Sequence, residues 1–180
     1  MTKKIIALAM ISVFAQANTY DSWYVGAGYD GVSVKKDLTK DYTIQATYGG
    51  FGDLSGFKGK VLYKFQQNKD YNFYGYGGFM YSSDEVTHKV NGGYGTSAKS
   101  EIDITTKGLE FGAGIEYDLR KTMNSNIPLF VSLELGYRAS STDVDGKTTF
   151  DGYDNNVVIN SSAEYDYSGV IGGLWIHYRF

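Results

Sequence analysis

The chain has 180 residues, with 17 Lys and Arg against 20 Asp and Glu, two His, one Pro and no Cys. The slight acidic excess argues against a nucleic-acid partner, and the missing cysteine excludes disulfides and thiolate metal sites. Seventeen Tyr, ten Phe and 23 Gly suit many aromatic-bounded strands better than helices.

Residues 1–17 have the layout of a secretory signal peptide. Lys3 and Lys4 open it, Ile5 to Phe14 is an apolar run, and Ala15-Gln16-Ala17 supplies a small-residue cleavage site. The apolar run is about half of the roughly 20 residues a membrane-spanning helix needs. Cleavage near Ala17 leaves residues 18–180 as one domain, in which 15 basic residues face 20 acidic ones. No later apolar run approaches helical spanning length, so a membrane reading must rest on alternating strands.

Ser22 to Val34 alternates with period two and is expected to be the first strand, with Trp23, Val25, Ala27 and Tyr29 outward and Tyr24, Gly26, Gly28 and Asp30 inward. It contains GAGYDG, a formal match to a dinucleotide fingerprint. That motif needs a helix opening at the glycines, and no amphipathic helix follows, so the glycines are read as room for large neighbours in a curved sheet. Lys35 to Asp41 (KKDLTKD) reads as a charged loop. Tyr42 to Tyr48 alternates again before the breaker GGFGDLSG, either as a full strand or as an extension of a hairpin.

Phe57 to Gln66 sets Phe57, Gly59, Val61, Tyr63 and Phe65 against Lys58, Lys60, Leu62, Lys64 and Gln66. Three lysines on one face are costly in hydrocarbon, so that face must be interior or wet. After the turn QNKD comes the aromatic strand Tyr71 to Tyr81. Ser82 to Lys107 is polar and Gly-rich and reads as a long extracellular loop. Gly108 to Leu119 points Leu109, Phe111, Ala113, Ile115 and Tyr117 outward, with Glu110, Gly112, Gly114, Glu116 and Asp118 inward. Pro128 precedes Leu129 to Arg138, where Leu129, Val131, Leu133, Leu135 and Tyr137 alternate with Phe130, Ser132, Glu134, Gly136 and Arg138. Residues 139–156 read as a second polar loop. Val157 to Tyr167 leads, with or without a break, into Ser168–Phe180, which alternates up to the terminal aromatic.

Six strands stand out, and residues 42–48 and 157–166 supply weaker candidates. A closed barrel in lipid leaves no edge, and bacterial barrels have even strand numbers from eight upward. The expected fold is all-β: a transmembrane antiparallel up-and-down barrel, with eight as the preferred strand number. The signal at Ala15–Ala17, the strands GLEFGAGIEYDL and PLFVSLELGYR, and WIHYRF at the end resemble the small bacterial outer-membrane β-barrel proteins, the group of the OmpA-type membrane domain, OmpX-like proteins and opacity-type surface proteins. The resemblance implies residence in the outer membrane of a Gram-negative-type envelope, contact with outer-membrane lipid, and a C-terminal assembly signal in Tyr178 and Phe180 that is read by the barrel-assembly machinery. It implies a place and a shape rather than one activity.

Catalysis has little to work with. His88 and His177 lack the H-x-S neighbourhood of barrel lipid deacylases, and no cofactor motif is present, so no enzyme is expected unless a triad assembles in space. Asp143-Val-Asp145-Gly resembles the start of a calcium loop without the acids needed in register, and is read as a solvated loop. The informative constellation is the inward charge set: Lys64, Glu116 and Arg179 toward one end, Lys60 and Glu134 near the middle, and Lys58, Glu110 and Arg138 toward the other. An eight-stranded interior is just wide enough for side chains to fill, so these charges are expected to pair in one network. The functional expectation is a structural or surface-interaction role through the loops at 82–107 and 139–156, with an extracellular ligand that the sequence does not specify. A narrow porin-like channel is the alternative, and a lipid-modifying enzyme or a soluble lipocalin-like calyx ranks below both.

Overall fold

The computed structural model describes residues 22–49, 56–68, 70–92, 97–120, 122–123, 126–151 and 156–180. The signal-peptide reading of residues 1–17 lies outside them. The described chain forms one closed antiparallel barrel in sequence order: β1 (Trp23–Gly28), β2 (Gly31–Asp37), β3 (Tyr42–Gly49), β4 (Gly56–Gln67), β5 (Tyr71–Asn91), β6 (Ser97–Asp118), β7 (Leu129–Asp151) and β8 (Asn156–Arg179). Closure joins β1 to β8 through Tyr24↔Arg179 to Gly28↔Trp175, and Phe180 N–H donates to Trp23 O at 2.9 Å.

The register sets the tilt. Starting at Val25 and stepping across the pairs Val34, Ala46, Gly59, Phe79, Leu109 and Ala139 reaches Ser168 on β8. Across the closing seam, however, Val25 pairs with Tyr178, ten residues further along the same strand. This shear of ten inclines the strands to the barrel axis, and the small number of strands leaves an interior just wide enough for packed side chains.

Eight strands arise by a different count from the one the sequence suggests. The stretch 22–34 is a hairpin, not one strand: the chain reverses at Tyr29 and Asp30, and Gly28 pairs with Gly31. Gly31 makes this possible at φ +127°, and a methyl group there would lie 2.4 Å from Tyr48 O. A two-residue turn hardly interrupts the alternation, so periodicity alone does not reveal it. The KKD of the expected charged loop belongs to β2, where backbone pairing with β3 runs from Val32↔Tyr48 to Asp37↔Thr43. Residues 42–48 form a full strand, and 157–167 continue without a break into the closing strand as β8.

The largest correction concerns residues 82–107 and 139–156. Ser82–Asn91, Ser97–Lys107, Ala139–Asp151 and Asn156 are strand, not loop: β5 pairs with β6 as far as Asn91↔Ser97, and β7 with β8 as far as Asp151↔Asn156. Strands β1–β4 have 6 to 12 residues and β5–β8 have 21 to 24. One wall of the barrel therefore continues as a four-stranded sheet beyond the rim of the other wall. Among the described residues, Ser83–Asn91 of β5 and residues 156–173 of β8 have no ladder partner on their outer sides.

Gly31→Ala is expected to cost about 1–3 kcal/mol, the usual range for a non-glycine residue held in a sparsely populated backbone region. Urea unfolding of the refolded protein, followed by tryptophan fluorescence, measures it.

Candidate functional site: the charged interior and the projecting sheet

In the barrel the alternation runs inside out relative to a soluble protein. Val25, Val61, Leu133, Leu135, Leu174 and Ile176 are exposed on the outer surface, while Lys35, Lys60, Glu110, Glu116 and Glu134 are buried inside. Aromatic residues bound the apolar band at both ends. Near Phe180, Tyr42 packs on Tyr63 with ring centroids 5.1 Å apart, Tyr71 on Phe73 at 5.3 Å and Tyr178 on Phe180 at 5.2 Å. At the opposite end Phe57 meets Phe79 at 5.9 Å and Phe111 meets Tyr137 at 5.8 Å, with Tyr29 and Tyr48 exposed at the same rim.

The interior is organised around cross-barrel ion pairs. Lys60 Nζ lies 2.8 Å from Glu134 Oε2 and 3.7 Å from Glu110 Oε2, and sits over the Tyr76 ring at 4.5 Å. Tyr74 donates its hydroxyl to Glu134 Oε1 at 3.0 Å. Toward the rim, Glu110 accepts Arg138 at 2.7 Å and lies 3.6 Å from Lys58, which also bonds Asp30 at 2.6 Å. Lys58, Lys60, Glu110, Glu134 and Arg138 thus form one connected network with Asp30. Lower down, Lys35 Nζ bonds Glu116 Oε2 at 2.9 Å, and Ser132 donates to the same oxygen at 3.3 Å. Lys64 pairs with Asp37 at 2.8 Å, and Tyr24 donates to the other oxygen of Asp37. The Arg179 guanidinium lies over the Phe130 ring at 5.2 Å.

Three members of this arrangement escaped the sequence reading of the site. Asp30 sits at a turn that the sequence placed inside a strand. Lys35 and Asp37 were assigned to a loop, yet Lys35 is among the most buried side chains, at 1 % exposure. The available signal was alternation of Ser33, Lys35 and Asp37 against Val32 and Val34, obscured by Lys36, whose ammonium packs over the Trp23 ring on the other face.

Bulk and small residues share the remaining interior. Trp175 and His177 are stacked with centroids 5.9 Å apart. They occupy the space left by two glycines of β1: a methyl group on Gly28 would lie 2.4 Å from Trp175, and one on Gly26 equally close to His177. Leu62, Tyr74 and Tyr76 form a separate buried cluster. His177 does reach a serine, sharing a 2.8 Å hydrogen bond with Ser33. Both residues are almost fully enclosed, Nδ1 of His177 has no hydrogen-bond partner among the described residues, and Glu116 is held by Lys35. This pair has neither the third member nor the access that nucleophilic catalysis requires. His88, the other histidine, is exposed on the projecting part of β5.

Beyond the rim the polarity reverses. The face that continues the lipid-type surface now carries Glu85, Asp103 and Asp145 in one cross-strand row and Asp143 opposite Glu164 in the next. Asp143 and Asp145 therefore lie on a strand rather than in a loop. Lys107 reaches Asp143 at 3.4 Å, and the Lys99 ammonium beside Glu101 holds its carboxyl below the usual carboxylate range. The opposite face, continuous with the barrel interior, presents Val86, Ile102, Ile104, Val144, Phe150, Val157 and Ile159. At the base of the projecting sheet, a shallow groove of about 760 Å³ runs between Phe79, Tyr81 and Leu109 on one side and Ala139, Ser141 and Ser168 on the other.

No protein-family profile and no curated protein matches this sequence.

Lys60→Met and Glu134→Gln should each destabilise the barrel by roughly 3–5 kcal/mol, since each leaves a buried charge under-compensated. The double variant should lose less than the sum, and a double-mutant cycle by urea unfolding reads the coupling. Strict additivity would mean that the two charges are solvated independently.

Proposed function

We propose that this protein is a small integral outer-membrane β-barrel of a Gram-negative-type envelope, non-enzymatic, with a filled interior and a surface-interaction role carried by the projecting sheet. The single observation that carries this reading is the polarity of the barrel wall: apolar outside between two aromatic belts, ion-paired inside. A closed barrel satisfies its backbone polar groups internally, as a hydrocarbon environment demands, and the exposed band of Val, Leu and Ile has no use in water. On this reading the end at Phe180 faces the periplasm, the projecting sheet faces outward, and the β1–β8 seam with Tyr178 and Phe180 is the element that the assembly machinery recognises.

The alternatives are weaker on physical grounds. A soluble calyx would put its apolar side chains inside, where this barrel has Lys60, Glu134 and Glu110. A channel needs a continuous wet path, whereas charges of both signs here contact one another across the barrel and Trp175, His177 and Tyr74 are almost fully enclosed. The interaction role follows from cost: extending four strands past the rim exposes two sheet edges, which proteins normally shorten or cover.

Conductance of the refolded protein in planar bilayers is the test that separates the readings. The expected result is no sustained open state, and large stable conductance would favour the channel. A second measurement addresses the lipid-facing surface. Leu133→Arg, midway between the aromatic belts, should cost about 2–4 kcal/mol in unfolding from liposomes, and recovery of the native protein as a soluble periplasmic species would overturn the membrane reading altogether.

A further inference from the structure

The projecting sheet has one polar face and one apolar face, and the apolar one is exposed: Val86, Val90, Phe150, Val157 and Ile159 all lie open. A contiguous apolar patch of this kind marks a surface that is covered in use. Building on the membrane-barrel reading above, we propose that this face is covered by the same face of a second copy reaching from an opposed membrane, the two sheets forming a sandwich that joins the two surfaces.

Charge is the argument for a second copy. Among the described residues, Asp84 and His88 supply the only carboxylate and the only basic group on the apolar face. Both are on β5, two residues either side of Val86. Val86 belongs to the cross-strand row Val86, Ile102, Gly146 and Ser161. A two-fold axis along that row stacks each strand antiparallel over its own counterpart at the usual sheet separation of about 10 Å. Val86 then meets Val86, Ile102 meets Ile102, and Asp84 of each copy meets His88 of the other. The arrangement is isologous and closed, as two-fold contacts are. An axis along the strands would instead stack β5 over β8 and bring Asp84 opposite Ala163 or its neighbours, with no charge compensation.

The geometry fits an encounter between opposed surfaces. Antiparallel stacking points the two barrels in opposite directions, and the short wall β1–β4 leaves the apolar face open for an incoming sheet. The acidic faces, with Glu85, Asp103, Asp145, Asp143 and Glu164, remain in water on the outside of the sandwich. In the single chain, one oxygen of Asp84 accepts Glu85 N–H at 3.0 Å, and the other oxygen is the acceptor that His88 of the second copy would reach.

The test uses the full-length protein refolded into liposomes, with vesicle clustering followed by turbidity. Wild-type vesicles should cluster in proportion to protein density. Asp84→Lys places Lys opposite His88, and His88→Asp places Asp opposite Asp84, so each alone should reduce clustering at least about tenfold. Mixing Asp84→Lys vesicles with His88→Asp vesicles restores complementary contacts and should bring clustering back to about the wild-type level. Dispersed wild-type vesicles, or a mixture no better than either variant alone, would overturn the pairing. Heat-modifiable migration and protease resistance report insertion separately: folded, inserted protein that fails to cluster refutes only this inference, whereas protein that never inserts refutes the barrel reading and this one with it.

Discussion

The structure depends on the narrowness of a barrel closed from eight strands with a shear of ten. In so narrow a space a charge placed inside has no bulk water and must find an opposite charge across the lumen. That requirement explains why Lys60 touches both Glu134 and Glu110, why Glu110 is shared with Lys58 and Arg138, and why Lys35 reaches Glu116. It also explains the glycines of β1. Trp175 and His177 fit inside only because the facing strand offers no side chains at Gly26 and Gly28.

How much of this was legible depends on which quantity alternation encodes. Period two assigns each residue to a face, and for β4, β6 and β7 it separated Lys60, Glu110 and Glu134 from Val61, Leu109 and Leu133. The face assignment of Trp23, Val25 and Ala27 also agrees with the structure, although the strand ends six residues earlier than expected. What alternation does not encode is reversal of direction. The Tyr29–Asp30 turn preserves the rhythm, so a hairpin read as one strand and the strand count had to be assembled from other segments. Partners across the lumen are equally silent in sequence, since they depend on the offset at the β1–β8 seam. Lys35 illustrates the loss: beside Lys36 and Asp37 it resembles a solvated charge run, and only closure shows that it points at Glu116.

The missed extensions have a different physical cause. Glu101-Ile-Asp-Ile104 alternates as clearly as any barrel strand, but its apolar residues occupy the phase that carries Glu110 and Glu116 lower on the same strand. A search for lipid-facing residues follows one phase, and here the environment changes sides while the phase continues. In the band bounded by aromatics the outer face is apolar and the inner face is polar. Past the rim the outer face is charged and the inner face is apolar. One uninterrupted ladder, from Asp118↔Phe130 to Ser97↔Asp151, spans both regimes, so the boundary is marked by the crossover of polarity and not by any break in secondary structure.

The distribution of charge between the two halves of the chain carries a consequence for assembly. Lys35, Lys58, Lys60 and Lys64 come from β2 and β4, whereas Glu110, Glu116 and Glu134 come from β6 and β7. The cross-barrel pairs therefore join the first half of the wall to the second, over sequence separations of 81 for Lys35–Glu116 and 74 for Lys60–Glu134. Lys64–Asp37, Lys58–Asp30 and Arg138–Glu110 pair within a half. Either half alone would present mostly one sign of charge to lipid, at a cost of several kilocalories per mole for each uncompensated group near the midplane. A partly formed sheet is thus penalised twice in a membrane, by its open edges and by its unpaired interior charges. Both penalties vanish at the same event, the meeting of β1 and β8. On the proposed membrane reading, closure is the step at which the wall becomes stable in lipid, and the long ladders of β5–β8 can form beforehand without satisfying a single one of the cross-barrel pairs.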